Sequence, residues 1–366
     1  MSARRVNLDY LNLYQEIPLF CALTVGSLFS RKRRQKTGNV LIVNTCLIGE
    51  FAASVPAIRD YILRNGGNAV DLMVAPPLKS LAERIRGVRR VYTARSLYGR
   101  SSDTAHHAVH TFEAYDTIFV MRISADVYRL VRTIAAGEIR TGLRSYSGYA
   151  LHLWGSLLLR RRPKQWRELN FEMLGGVPRQ LSFDEMFAFT PEDTASVAAL
   201  DVLRTSEKKV IIHTGVSWPM KHWSTDRWVA LLGRIRRSGD YHLIFVGGRE
   251  DEADYAAIAA QLEFPVHSLI GRIDLPQLLL ALRASDYFIG VDSGPANLAR
   301  LAELRSLTLY GPGPHMYLPF DPRDIALDKS RGRGLYQMFF YTKDGFIDRI
   351  TVDEVYDAFE KLVWNS

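Results

Sequence analysis

Cysteine is nearly absent from this chain: 366 residues contain two, Cys21 and Cys46. Neither has a Cys or His neighbour at ligand spacing, which excludes a disulfide framework and a zinc knuckle and fits a reducing compartment. Long apolar runs are missing too. The most apolar stretch, Ile17 to Phe29 (IPLFCALTVGSLF), falls short of the roughly 20 residues that span a bilayer. Its heavier basic cluster, SRKRRQK, follows the apolar residues, the wrong order for a secretory signal. Export is not expected. Residues 17–36 are either an interfacial segment whose Arg and Lys meet anionic headgroups, placing the protein at the inner face of the cytoplasmic membrane, or an added helix packed on a domain surface.

Several catalytic signatures are also lacking. There is no G-x-x-x-x-G-K-[ST] phosphate loop, no G-x-G-x-x-G after a first strand and no G-x-S-x-G nucleophile elbow. No Asp-x-Asp pair is available to hold a divalent ion on a sugar nucleotide, so any bound diphosphate would be neutralised by protein groups. His106, His107 and His110 (AHHAVH) have no Cys or carboxylate to complete a metal set in that segment and read as surface histidines.

What is present is a chain long enough for two cores, 47% hydrophobic and 23% charged. Forty-seven Lys and Arg against 39 Asp and Glu give a formal charge of +8, which favours an anionic partner. Nucleic acid is not expected, because no interleaved aromatic and basic recognition motif accompanies the charge. From Asn39 onward, short apolar strands alternate with amphipathic helices: NVLIV (39–43), VDLMVA (70–75), RRVYTA (89–94) and DTIFVM (116–121), with a helical pattern at SADVYRLVRTIAAG (124–137). A second series holds KVIIHTG (209–215), HLIFVGG (242–248), DYFIGVD (286–292) and RSLTLYGPG (305–313). This rhythm predicts two α/β domains, each with a parallel sheet and crossover helices. The expected division is an extension over 1–38, a first domain over 39–190, a linker over 191–207, a second domain over 208–345 and a final helix within 346–366.

Ligands of open α/β sheets sit beyond the carboxyl ends of the strands, where helix N-termini attract anions. Three such ends in the second domain carry suitable groups: His213-Thr214-Gly215-Val216-Ser217 with Lys221 beyond, Gly247-Gly248-Arg249-Glu250, and Asp292-Ser293-Gly294-Pro295. The hydroxyl of Ser293 and the N–H groups after it suit a diphosphate; the same serine also suits a plain helix cap. Lys221 and Ser217 suit a phosphate contact. In the first domain, Glu50 follows the Gly49 turn after NVLIV, either as a general base or as an acid favoured by the helix dipole.

Together, NVLIVNTCLIGEFAASVPAIRDYIL, HTGVSWPMKHWSTDRWVALLGRI, LIFVGGREDEADYAAIA and LIGRIDLPQLLLALRASDYFIGVDSGPANLARLAELRSLTLYGPG resemble the heptosyltransferases of lipopolysaccharide core assembly, glycosyltransferase family 9. The resemblance implies a GT-B architecture: two Rossmann-like domains facing across a cleft, with a final helix (352–363) crossing back to the first. It implies metal-independent, inverting transfer of a sugar, commonly heptose from ADP-heptose, to a glycan or glycolipid acceptor. It implies no cofactor. Carried over by position, Glu50 stands where the family's aspartate base stands, and Lys221 and Ser217 match its phosphate contacts. Asp292, Ser293 and Gly294 match its diphosphate loop. Glu250 or Glu252 lies near its acidic residue for a ribose or sugar hydroxyl, and Asn297 replaces its usual histidine. The basic run Arg160-Arg161-Arg162 falls where the family receives an anionic acceptor, though such a run also suits a solvated face. The alternative function is a nucleotide-sugar-binding protein of the same fold with lost or altered transferase activity.

Overall fold

The structure is a computed structural model that describes residues 37–66, 68–94, 112–121, 125–141, 164–216, 219–311, 321–329 and 346–364. The apolar and basic segment 17–36, Cys21, the three histidines at 106–110, Arg160, Arg161, Arg162 and Ser217 lie outside them. The chain divides into two compact units, one holding residues 1–47 and 54–181, the other Ile48–Ala53 and Ser182–Ser366.

In the first unit, β1 (Asn39–Asn44) leads into α1 (Ile48–Arg64), whose stretch Ile48–Ala53 is counted with the second unit, then β2 (Ala69–Val74), α2 (Lys79–Ala82) and β3 (Val88–Thr93). β4 (Tyr115–Val120), α3 (Ala125–Thr133), β5 (Ala136–Thr141) and α4 (Trp166–Met173) follow. The strands are all parallel in the order β3-β2-β1-β4-β5. Leu41, Val43, Met73, Ile118 and Val120 pack against Val127 and Val131 of α3, so the near-continuous apolar runs are strands buried by helices. Asp71 interrupts one such run at full burial. Arg89 grips both of its carboxylate oxygens at 2.8 and 2.7 Å and the Tyr115 hydroxyl donates at 2.8 Å, which offsets the desolvation of the charge.

One expectation is corrected here. The helical pattern over 124–137 ends at Thr133, and β5 begins three residues later at Ala136. AGEIRT carries a single large apolar side chain because it is an edge strand. Its Gly137 runs so close to β4 that a Cβ would sit 2.9 Å from the Asp116 carbonyl oxygen.

The second unit continues with α5 (Phe183–Met186), α6 (Pro191–Ala198), β6 (Lys208–His213), α7 (Thr225–Ser238), β7 (Tyr241–Phe245), α8 (Glu252–Ala259) and β8 (His267–Ser268). It is completed by α9 (Leu275–Arg283), β9 (Tyr287–Val291), α10 (Gly294–Leu301), β10 (Arg305–Tyr310), β11 (Ile325–Asp328) and α11 (Val352–Trp364). Its parallel sheet runs β11-β10-β9-β6-β7-β8, the doubly wound order that reverses direction between β6 and β9. Trp223, Trp228, Leu231, Phe245, Ile289 and Leu309 centre its core.

The longer segment of this unit starts at Ser182, and α6 is a packed element within it: Gln277 of α9 donates its amide to Ser196 of α6 at 3.1 Å. The final helix, α11, buries Val355, Phe359 and Leu362 in this same core, and the Trp223 indole donates to the Ile350 carbonyl at 3.0 Å just before it. Among the described residues, no helix is long and apolar enough to cross a membrane.

Candidate functional site

A doubly wound sheet opens a crevice where its strand order reverses, and here β6 and β9 flank that point. Their apolar runs end in polar loops at the same edge. The buried His213 that ends β6 and the buried Thr214 after it lead to a short 3-10 turn, Pro219–Lys221. After β9, Asp292 and Ser293 lead into α10. The two loops meet: the Lys221 ammonium donates to Asp292 Oδ2 at 2.5 Å and to the Asp292 carbonyl at 3.4 Å. Both side chains are mostly covered, 21% and 12% exposed, so this pair is far less screened than a surface pair. β10 closes the third side. At Gly311, just past its end, a Cβ would stand 3.1 Å from the Lys221 Cα, so only glycine lets this strand end approach the lysine turn without displacement.

Ser293 caps α10 from an extended backbone conformation, its hydroxyl accepting from the Ala296 N–H at 3.5 Å. That distance is at the long limit of a hydrogen bond. Pro295 has no N–H, so the helix start offers the Gly294 amide, the serine hydroxyl and the positive end of the helix dipole toward an anion. Asn297 closes the turn from inside, with its backbone N–H and its Nδ2 both donating to the Ser293 carbonyl at 3.3 and 2.9 Å.

At the end of β7, Glu250 and Glu252 are both exposed, whereas Asp251 between them is 9% exposed. Its Oδ2 accepts from the Gly248 N–H at 2.9 Å, and its carboxylate fills the space over Gly215 and Gly247, where any Cβ would clash. The sequence alone does not single out Asp251 among its acidic neighbours. The signal available was Gly-Gly before an acid-rich helix start, whose tight turn decides which of three neighbouring acids faces inward.

Burial raises the Asp251 carboxyl to about 6, with the Gly248 N–H opposing the rise. At the end of β6, His213 is held down to about 4 by burial, and the neutral ring accepts the Gly215 N–H on Nδ1 at 3.0 Å. The two groups act on stability in opposite directions. Because the folded state holds the Asp251 proton more tightly than the unfolded chain, its contribution falls as pH rises through about 6; because it holds the His213 proton less tightly, that contribution falls as pH drops below the ordinary histidine range. Comparing wild type with Asp251→Asn isolates the acid. The variant is expected to be more stable by about 1–3 kcal/mol at pH 8, with the gap closing by about pH 4, in urea melts at matched pH.

Glu50 stands, half-buried, in the first turn of α1, where the N-cap residue Leu47 supplies no side-chain cap. The preceding turn is pinned by Asn44, whose Nδ2 donates to Ser54 Oγ at 2.8 Å and whose Oδ1 accepts from the Cys46 N–H at 3.4 Å. Cys46 is buried. Among the predicted site residues, the structure therefore brings Lys221, Asp292, Ser293, Gly294 and Asn297 into one cluster.

The profile of glycosyltransferase family 9 (heptosyltransferase) matches residues 113–331, more than half of the chain. The chain belongs to glycosyltransferase family 9. Among curated members, Escherichia coli lipopolysaccharide heptosyltransferase 3 is 26% identical over 121 residues, which span 32% of this chain and 35% of that protein. The match thus covers about a third of that relative's length. Among solved structures, a family 9 glycosyl transferase from Veillonella parvula superposes with a TM-score of 0.73 at 15% identity, over 92% of this chain and 100% of that one. E. coli ADP-heptose lipopolysaccharide heptosyltransferase II gives 0.65 at 15% identity, over 89% and 99%. An E. coli heptosyltransferase solved with ADP gives 0.60 at 17% identity, over 89% and 98%. At these identities the superpositions show a shared fold, and with it the GT-B class of this family 9 chain.

Proposed function

We propose that this chain is an inverting glycosyltransferase that moves a sugar from a nucleoside diphosphate sugar, with ADP-heptose the foremost donor, to a hydroxyl of an anionic glycan or glycolipid such as lipopolysaccharide core. The observation that carries the proposal is the meeting of Lys221 with the Asp292-Ser293-Gly294 turn at the point where the second sheet reverses its strand order. A cation, a hydroxyl and a helix start converge there, the donor set that a diphosphate needs when protein groups alone neutralise it.

In the proposed reaction, the acceptor oxygen attacks the anomeric carbon as the bond from that carbon to the β-phosphate oxygen breaks, inverting the configuration. The departing electron pair goes to the diphosphate, where Lys221, Ser293 and the Gly294 amide receive the growing charge. The acceptor proton passes to the Glu50 carboxylate. The proposed site of action is the inner face of the cytoplasmic membrane, because the basic residues within 17–36 suit anionic headgroups and the run Arg160-Arg161-Arg162 suits an anionic acceptor.

A second reading, donor binding without transfer, draws on one observation: Glu50 sits in the first turn of a 17-residue helix, where the dipole favours an acid without any catalytic role. Incubating the full-length protein with a panel of nucleotide sugars and quantifying released nucleoside diphosphate by chromatography tests the first reading. ADP-heptose is expected to be cleaved, slowly with water and faster with a lipopolysaccharide-core acceptor. Binding without release from any donor would favour the second reading, and absence of both would defeat both.

A further inference from the structure

Asn297 lies on the inner side of the diphosphate turn and is 8% exposed. Its amide can serve that turn in only one orientation. With Nδ2 toward the Ser293 carbonyl it closes the turn; flipped, Oδ1 would face that carbonyl oxygen and repel it, leaving the turn loose. What fixes the orientation is Arg300, one helical turn further along α10. Its Nη1 donates to Asn297 Oδ1 at 3.1 Å, so the oxygen end of the amide is held away from the turn.

The guanidinium is itself held. Its Nη2 donates to Thr308 Oγ1 at 3.2 Å and to the Tyr310 hydroxyl at 2.7 Å, both on β10. Tyr310 is buried, and Gly311 after it packs on the backbone of the Lys221 turn. One planar fork therefore links the diphosphate turn to the strand end on which the phosphate-facing lysine rests. Lysine at this position would keep the charge but lose the fork, since a single ammonium cannot hold the amide and both hydroxyls in one plane.

We propose that Arg300 is a positioning residue of the diphosphate pocket, acting through the amide of Asn297. The proposal rests on the reading of the Asp292-Ser293-Gly294 turn as that pocket. Arg300 also places a permanent positive charge one hydrogen bond behind Asn297, a side chain that never carries charge.

The test is a calorimetric titration of full-length protein with ADP as the probe, in a cycle of wild type, Arg300→Lys, Asn297→Ala and the double variant, each with a thermal melt. In the Asn297 background, Arg300→Lys is expected to weaken ADP binding about tenfold, the scale of one hydrogen bond to a charged group. In the Asn297→Ala background the same change is expected to alter binding by less than about twofold, because the group it acts through is gone. A loss of equal size in both backgrounds, or no loss in either, overturns the proposal while leaving the pocket intact. Failure of wild type to bind ADP overturns the pocket itself and the proposal with it. Should Arg300→Lys fail to fold, Tyr310→Phe removes one anchor of the fork at small steric cost. It is then expected to weaken ADP binding about threefold, again only when Asn297 is present, and an unchanged affinity would overturn the proposal.

Discussion

Replacing Glu50 with glutamine is expected to slow glycosyl transfer by about 10²–10⁴-fold, the range that a positioned general base supplies. Glutamine keeps the length and shape of the side chain and loses only its capacity to take the acceptor proton. Affinity for ADP should stay within about twofold, because the diphosphate is assigned to groups on other loops. The two roles open to Glu50 separate cleanly in this variant. An acid retained only for the helix dipole contributes about 0.3–1 kcal/mol to stability and nothing to turnover. A small drop in melting temperature with unchanged transfer would therefore assign Glu50 to the helix start, and a large loss of transfer at a nearly unchanged melting temperature assigns it to the chemistry. Glu50→Asp shortens the reach by one methylene and tests how closely the base must approach, since a misplacement of about 1 Å costs up to about 10²-fold.

The second large effect is expected from Lys221→Ala: a loss of at least tenfold in ADP affinity and of about 10²–10³-fold in kcat with donor and acceptor at saturation. Two physical losses combine. The cation that faces the departing diphosphate is removed, and Asp292, mostly covered and bonded to that cation, is left as an uncompensated carboxylate beside the same anion. Asp292→Asn added to Lys221→Ala removes the second penalty alone. The double variant should recover part of the ADP affinity and little of the rate, because the amide neither repels the diphosphate nor supplies the missing charge. If affinity in the double variant falls below that of Lys221→Ala, Asp292 contacts the ligand directly and its role must be reassigned.

Much of this was legible in the residues, for reasons that can be named. Strands buried on both faces are continuous apolar runs, so NVLIV and DYFIGV announced central parallel strands. The loops that follow them, with Gly-Glu and Asp-Ser-Gly, are short enough for spacing alone to place them at the strand ends. The edge strand β5 escapes the sequence pattern, whose helical reading runs on into its first two residues, because an edge needs little apolar surface and AGEIRT offers only Ile139. The contacts that attach α5 and α6 to the second unit come from residues distant in sequence, such as Gln277 and Glu303, which no local pattern reveals.

In the site, the chemical identities were visible and the partnerships were not. Nothing in the spacing says that Lys221 pairs with Asp292, across 71 residues, or that Arg300 holds Asn297 on its own helix while anchored to Tyr310 on β10. Asp251 illustrates the same limit over a shorter distance. Three acids at 250–252 are equivalent as sequence, and only the turn through Gly247, with φ at +157°, buries the middle one.

The central claim is that the loops after β6 and β9 bind the diphosphate of a nucleotide-sugar donor. Isothermal titration of ADP into full-length wild-type protein and into Lys221→Ala, in the same buffer and salt, tests it most directly. Saturable binding with one ADP per chain in wild type, weakened at least tenfold in the variant, is the predicted result. No binding in wild type, or equal affinity in the two proteins, would contradict it.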